Sequence, residues 1–250
     1  MAGISLPHGT FTFNGIASDT KGVYVSTFPS YSVPAKNLET YQIPGRNGNV
    51  IYDDGTYQNV DISYDVSIYQ PSEASLAAAI RKVVTWLHPT TNDYCILSDT
   101  YYPSYYRLAI CKNAFDVGNL LQTVGTAKIV FNCRPERFSS VNNKFTVNNT
   151  TVSKTNSQGF TSCPSFKATG PQTITINESD LSKKVVITIA NGVGSSTVVN
   201  IDGETLNATN NSGVSLNAYV SANAIPRLYP GTNTIKSTGS VEVDPRWWVL

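Results

Sequence analysis

Charge is what this 250-residue sequence has least of. Asp, Glu, Lys and Arg together make up 14% of it, and 18 basic against 17 acidic residues leave a net charge of +1. Soluble domains typically carry ~25%. The sparse charge suits a surface partly covered by partners, and a Ser/Thr/Asn-rich surface accounts for it equally. No basic field exists to attract nucleic acid or an anionic membrane surface, so nucleic-acid sequence recognition is not expected. Histidine is nearly missing too, with only His8 and His88. No Gly-x-Ser-x-Gly elbow accompanies them, which leaves little material for a nucleophile and its base. Gly-rich nucleotide loops and oxygen-rich calcium loops are absent. The near carboxylate pairs, Asp53/Asp54 and Asp202/Glu204, each sit beside a glycine in a turn context. Catalytic residues, metal and cofactor are therefore expected to be none. No apolar run approaches the ~20 residues that span a bilayer, and the first residues lack a basic and apolar leader pattern. Membrane insertion is not expected. Cys95, Cys111, Cys133 and Cys163 are scattered without a metal-ligand rhythm, and are read as buried free thiols in a reducing compartment.

Two stretches stand out against this plain background. In Ile43-Pro44-Gly45-Arg46-Asn47-Gly48, Pro fixes φ at the second position of a tight turn and Gly takes φ > 0 at the third. Pro44, Gly45, Arg46, Asn47 and Gly48 form a candidate contact loop that holds Arg46 on a rigid projection. The other is Arg246-Trp247-Trp248-Val249-Leu250. Arg246, Trp247 and Trp248 are expected to pack the end of the chain back onto the fold.

Periodicity supplies a fold class that is mainly β. Val60, Ile62, Tyr64, Val66 and Ile68 alternate with Asp61, Ser63, Asp65 and Ser67, the pattern of a half-buried antiparallel strand. Asp53-Asp54-Gly55 just before it predicts a hairpin turn. One helix is predicted from about Ser72, its N-cap, to Leu87, closed by Pro89, with His88 near its negative end. Further strands are expected at Tyr94–Leu97, Tyr105–Ile110 and Ala127–Cys133. Twelve of the fourteen tyrosines precede Arg134, whereas fifteen of the twenty-five residues from Ser139 to Cys163 are Ser, Thr or Asn. The composition shift sets a boundary near 135–140, with domains 1–137 and 138–250. Short β-rich segments between Gly and Pro punctuation then predict a β-sandwich or jelly roll. Tyr101, Tyr102, Tyr105 and Tyr106 flank Pro103-Ser104; exposed aromatics of this kind can stack on sugars or partners, and the favoured reading is part core, part subunit interface.

An ordered set of segments runs along the chain: Phe13-Asn14-Gly15-Ile16 with Gly22-Val23-Tyr24-Val25, Ile43 to Gly48, Trp86-Leu87, Leu97-Ser98-Asp99, Tyr105-Tyr106-Arg107 and Phe131 to Glu136. Asn156 to Gly159, Cys163-Pro164, Ile201 to Glu204, Leu228 to Ile235 and Arg246-Trp247 continue it. Taken in order, these segments resemble the distal tail protein (Dit) family of long-tailed bacteriophages, the siphovirus tail-component group. The resemblance implies an N-terminal split-barrel domain with one packed α-helix that forms a hexameric, tail-tube-like ring. It further implies a C-terminal galectin-like β-sandwich. It implies a non-enzymatic hub of the virion's tail tip, assembled in the host bacterial cytoplasm. Its expected partners are copies of itself in single or stacked rings, the tail tube and tape-measure proteins, the tail-associated lysin or fibre protein, and receptor-binding protein. The alternative is a carbohydrate-binding adhesion module. Closed rings need two different patches per subunit, and the Pro44–Gly48 loop is read as one of them.

Overall fold

The computed structural model describes residues 9–69, 76–90, 93–111, 117–121, 124–141 and 143–250. The proposed Ser72 cap and His8 lie outside the described residues. The chain divides into two units, residues 1–140 with Leu250, and residues 141–249.

The first unit is built from β1 (Phe11–Phe13), β2 (Ile16–Ala17), β3 (Val23–Val25), β4 (Lys36–Gln42), β5 (Asn49–Tyr57), β6 (Val60–Tyr69), α1 (Leu76–Leu87), β7 (Cys95–Asp99), β8 (Tyr105–Ile110), β9 (Val117–Leu121), β10 (Val124–Cys133) and β11 (Arg137–Ser139). Its main sheet runs β2-β1-β7-β8-β10-β6-β3, with β9 against β10 and β11 against β8. β6 spans the predicted residues and alternates between buried and outward positions throughout. Its even-numbered side chains join Phe11, Phe13, Leu97, Ile129 and Phe131 in one core. The helix covers that face. The Trp86 ring lies parallel to Phe11 at 5.6 Å, and its Nε1–H donates to the Phe13 carbonyl at 3.1 Å. Cys95, Cys111 and Cys133 are buried and Cys163 is half-buried, all as free thiols. Burial pushes the Cys133 thiol up to about 12, so it stays protonated at neutral pH.

The Asp53-Asp54-Gly55 turn is corrected by the structure. These residues lie inside β5, not between strands. The register with β4 passes from Leu38 opposite Asp53 to Lys36 opposite Tyr57, so Asp54, Gly55 and Thr56 bulge against Asn37 alone. Gly55 supplies the positive φ of 78°, and the Asp53 and Asp54 carboxylates accept from the N–H groups of Gly55 and Thr56. A local Asx-type signal is the same in a bulge as in a turn.

The second unit comprises β12 (Phe145–Asn148), β13 (Thr151–Asn156), β14 (Ser165–Thr169), β15 (Gln172–Ile176), β16 (Val185–Ile189), β17 (Val198–Ile201), β18 (Ala208–Thr209), β19 (Val220–Ala222), β20 (Gly231–Ser237) and β21 (Ser240–Asp244). They form two antiparallel five-stranded sheets, β12-β21-β14-β17-β18 and β13-β20-β15-β16-β19. Both contribute to a single core, with Phe166, Val199 and Val243 from one and Ile174, Ile187 and Ile235 from the other. This is a β-sandwich. Its turns are specified locally. Gly203 is required where a Cβ would fall 1.9 Å from the Pro164 carbonyl oxygen. Asn233 donates to the Tyr229 and Gly231 carbonyls and ties down the intervening Pro230.

Candidate assembly surfaces

β4 and β5 stand apart from the main sheet as a two-stranded hairpin that pairs with nothing else among the described residues. The tip is the Pro44–Gly48 loop. Gly45 takes φ 80°, and the Arg46 N–H closes the turn on the Ile43 carbonyl at 3.2 Å. From Lys36 to Tyr57 no residue is buried, and all but Asn37, Val50 and Tyr57 are exposed. An isolated hairpin of this kind is marginally stable at best in water, because neither face is covered.

Both faces carry large apolar side chains. Cross-strand partners share a face, so Leu38, Thr40 and Gln42 line one side with Asp53, Ile51 and Asn49. Glu39 and Tyr41 line the other with Tyr52 and Val50. Leu38 and Ile51 are 49% and 62% exposed on the first face, and Tyr41 and Tyr52 are 54% and 59% exposed on the second. Lys36 pairs with Asp53 at the base, and the Tyr41 hydroxyl donates to Glu39. Arg46 at the tip has no ion pair or side-chain hydrogen bond among the described residues. Exposed apolar surface rimmed by polar groups marks an interaction site.

A second open surface is the outward face of the main sheet, opposite α1. Ile96 is 50% exposed there, opposite half-buried Leu108. Ile110 lies opposite Asn132, which lies opposite Asp61.

A third surface gathers the aromatic residues singled out in the sequence. Phe28, 63% exposed, meets Tyr31, Tyr101 and Tyr102 edge-on, with centroids at 6.2, 4.8 and 6.2 Å. Beneath them the Asp99 carboxylate accepts four hydrogen bonds. Two come from the hydroxyls of Tyr31 and Tyr64 at 2.6 and 2.8 Å, and two from the N–H groups of Tyr101 and Tyr102 at 3.0 and 2.9 Å. Burial, together with the adjacent carboxylate, pushes both phenols above their ordinary range. With all four donors in place, Asp99 is a structural clamp. Tyr102 is exposed, whereas Tyr101, Tyr105 and Tyr106 are half-buried.

At the chain's end, Arg246 takes φ 47° and its guanidinium reaches Asp202 Oδ2 at 2.8 Å. Trp248 stacks on Phe160 at 4.4 Å and donates to the Thr161 carbonyl at 3.0 Å. The Trp247 Nε1–H is enclosed without a partner among the described residues. Both tryptophans are half-buried. The sequence pointed to the hairpin's tip but not to its two strands, whose apolar residues fall on both faces and leave no alternation to read.

Among the described residues no group of three or more His, Cys, Asp or Glu is arranged to hold a metal ion, and no helix is long and apolar enough to cross a membrane.

Comparison with known proteins bears on the first unit and on the fold. Residues 19–133 match the family model described as the phage tail protein RIFT-related domain. No curated protein sequence matches the chain. Among solved structures, the chain is similar to the Dit (gp 19.1) protein of SPP1, described as a paradigm of the hub adsorption apparatus in phages infecting Gram-positive hosts. That match has 14% identity and a TM-score of 0.65, over 94% of this chain and 97% of that one. It is also similar to a chain of the phage P2 baseplate in its activated conformation with Ca, at 9% identity and a TM-score of 0.52 over 94% and 97%. The resemblance read from the sequence stands. Residues 19–133 thus resemble a phage tail domain, and the chain shares the fold of the SPP1 Dit protein.

Proposed function

We propose that this chain is a structural hub of a bacteriophage tail tip. In this reading six copies close into a ring that joins the tail tube above to the tail-associated and receptor-binding apparatus below. The second unit is a galectin-like sandwich. The hairpin carries the reading. A two-stranded arm with apolar side chains on both faces is poorly stable in a monomer and needs protein against it. A cyclic assembly supplies that cover through a heterologous interface, in which the arm of each subunit meets a different patch on the next. The tape-measure protein and the lysin or fibre protein are the further partners of such a hub. The virion is its place, and it has no reaction to perform.

Light scattering coupled to size exclusion, with negative-stain images of the purified chain, tests this. Rings of six, single or stacked in pairs, are the expected result. A monomer that persists as concentration rises overturns it.

A second reading, glycan binding by the second unit, draws on an open groove of about 320 Å³ that includes Lys167, Asn200, Asp202, Glu242 and Arg246 in its lining. Such a lining offers hydrogen bonds to hydroxyl groups. The groove has no exposed aromatic platform, since Phe166 is 2% exposed. A glycan array probed with the whole chain decides this reading, and a blank array retires it.

A further inference from the structure

The ring reading leaves open where the arm lands, and the charge pattern of the first unit narrows the choice. β4 is seven residues long, which places the tip about 23 Å from the hairpin's base. Arg46 sits there exposed, with no acidic partner in its own chain among the described residues.

Among the described residues, the acids on the outward sheet face are Asp61 and Asp65 of β6. They differ in their surroundings. Asp65 lies opposite Lys128 in the register, so a cation already stands across the strand pair. Asp61 lies opposite Asn132, which donates to it at 2.7 Å and carries no charge. Asp61 has no ion pair among the described residues. Alongside it, Ile110, Leu108 and Ile96 continue the outward face as an apolar floor. The arm presents the matching sequence of features, with an unpaired cation at the tip and Leu38 and Ile51 behind it. The apolar strip ending in a positive charge is thus complementary to an apolar floor bordered by a negative one.

Resting on the ring reading, we propose that the occupant of this sheet face is the arm of a second copy of the chain, with Arg46 of one copy paired to Asp61 of the next. The patches differ and lie on different parts of the subunit, which is the condition for head-to-tail closure rather than an isologous dimer. The charged pair sets register and direction around the ring, while the apolar strip supplies contact area.

Charge reversal tests the pairing. Arg46→Asp and Asp61→Arg, each alone, should raise the concentration for half-assembly by about tenfold or more, because like charges then meet at every joint. The double reversal Arg46→Asp/Asp61→Arg should bring it back to within about threefold of the unaltered chain. Asp61→Asn, which keeps a hydrogen-bonding group opposite Asn132, should weaken assembly less and flatten its dependence on salt. Circular dichroism of each variant establishes that it is folded. Single reversals that assemble like the unaltered chain overturn the pairing, as does a folded double reversal that stays dissociated. Absence of rings in the unaltered chain is a separate result, and overturns the ring reading itself.

Discussion

Removing the arm separates assembly from folding more sharply than any point substitution. In a chain lacking residues 38–55, the connection between β3 and β6 shortens from roughly 34 residues to roughly 16, and closing the shorter loop costs about 0.7 kcal/mol less by the (3/2)RT ln n rule. Against this stands the loss of the arm's own contacts. No residue from Lys36 to Tyr57 is buried, and a two-stranded hairpin uncovered on both faces is marginally stable at best, so its net contribution to the first unit is close to zero. The two effects oppose each other, and the first unit's stability should change by less than about 1 kcal/mol, or about 4 °C in melting temperature. Scanning calorimetry measures the shift, and light scattering on the same samples measures assembly. The expected outcome is a folded monomer at every concentration. A first unit that unfolds on truncation would show the arm to be part of the fold. Rings that persist without it would show that assembly uses another surface.

Tyr64→Phe deletes one of the four donors to Asp99 without opening a cavity, because the ring stays between Phe11 and Phe131. A hydrogen bond to a charged group is worth about 1.5–3 kcal/mol, and hydrogen exchange of the β6 amides should report a loss in that range; a change under 0.5 kcal/mol would refute the clamp (about the scatter of neutral surface changes). Trp248→Ala removes a half-buried ring stacked on Phe160 and should cost the second unit about 2 kcal/mol by urea titration, against no measurable loss if the terminal residues are loosely held. Burial pushes the Asp202 carboxyl up, but the Arg246 guanidinium and the N–H groups of Thr205 and Glu204 outweigh it and hold the pKa below the ordinary range. A depressed carboxylate stabilises the fold above its unfolded pKa of about 3.9, and that contribution is lost as pH falls through the lower folded value. Melting of the second unit from about pH 6 to pH 2.5 should therefore show an acid-side loss that shrinks in Arg246→Gln; an identical acid slope in the variant would refute the assignment.

Local rules made part of this architecture legible. The period of two from Val60 to Ile68 located β6 and told its buried face from its outward one, because a strand covered on one side carries the contrast in its own residues. Pro44-Gly45 marked the reversal because φ preferences are properties of single residues. The helix was legible through the helical spacing of Leu76, Val83 and Leu87, which are buried, although its proposed start falls outside the described residues.

The arm shows where such reading stops. With both faces of β4 and β5 uncovered, apolar residues appear on each, and no alternation distinguishes inside from outside. Asp53-Asp54-Gly55 favours positive φ and Asx bonding, which a bulge uses as well as a turn, and only the pairing with Asn37 chose between them. The tryptophans at the end of the chain read as packing residues from their hydrophobicity, but how far each is covered depends on what surrounds it, and both are half-buried. Strand order in the two units, the four donors gathered on Asp99 from Tyr31, Tyr64, Tyr101 and Tyr102, and the isolation of Arg46 and Asp61 were decided by tertiary structure, because contacts between distant residues are set by packing rather than by neighbours in the chain.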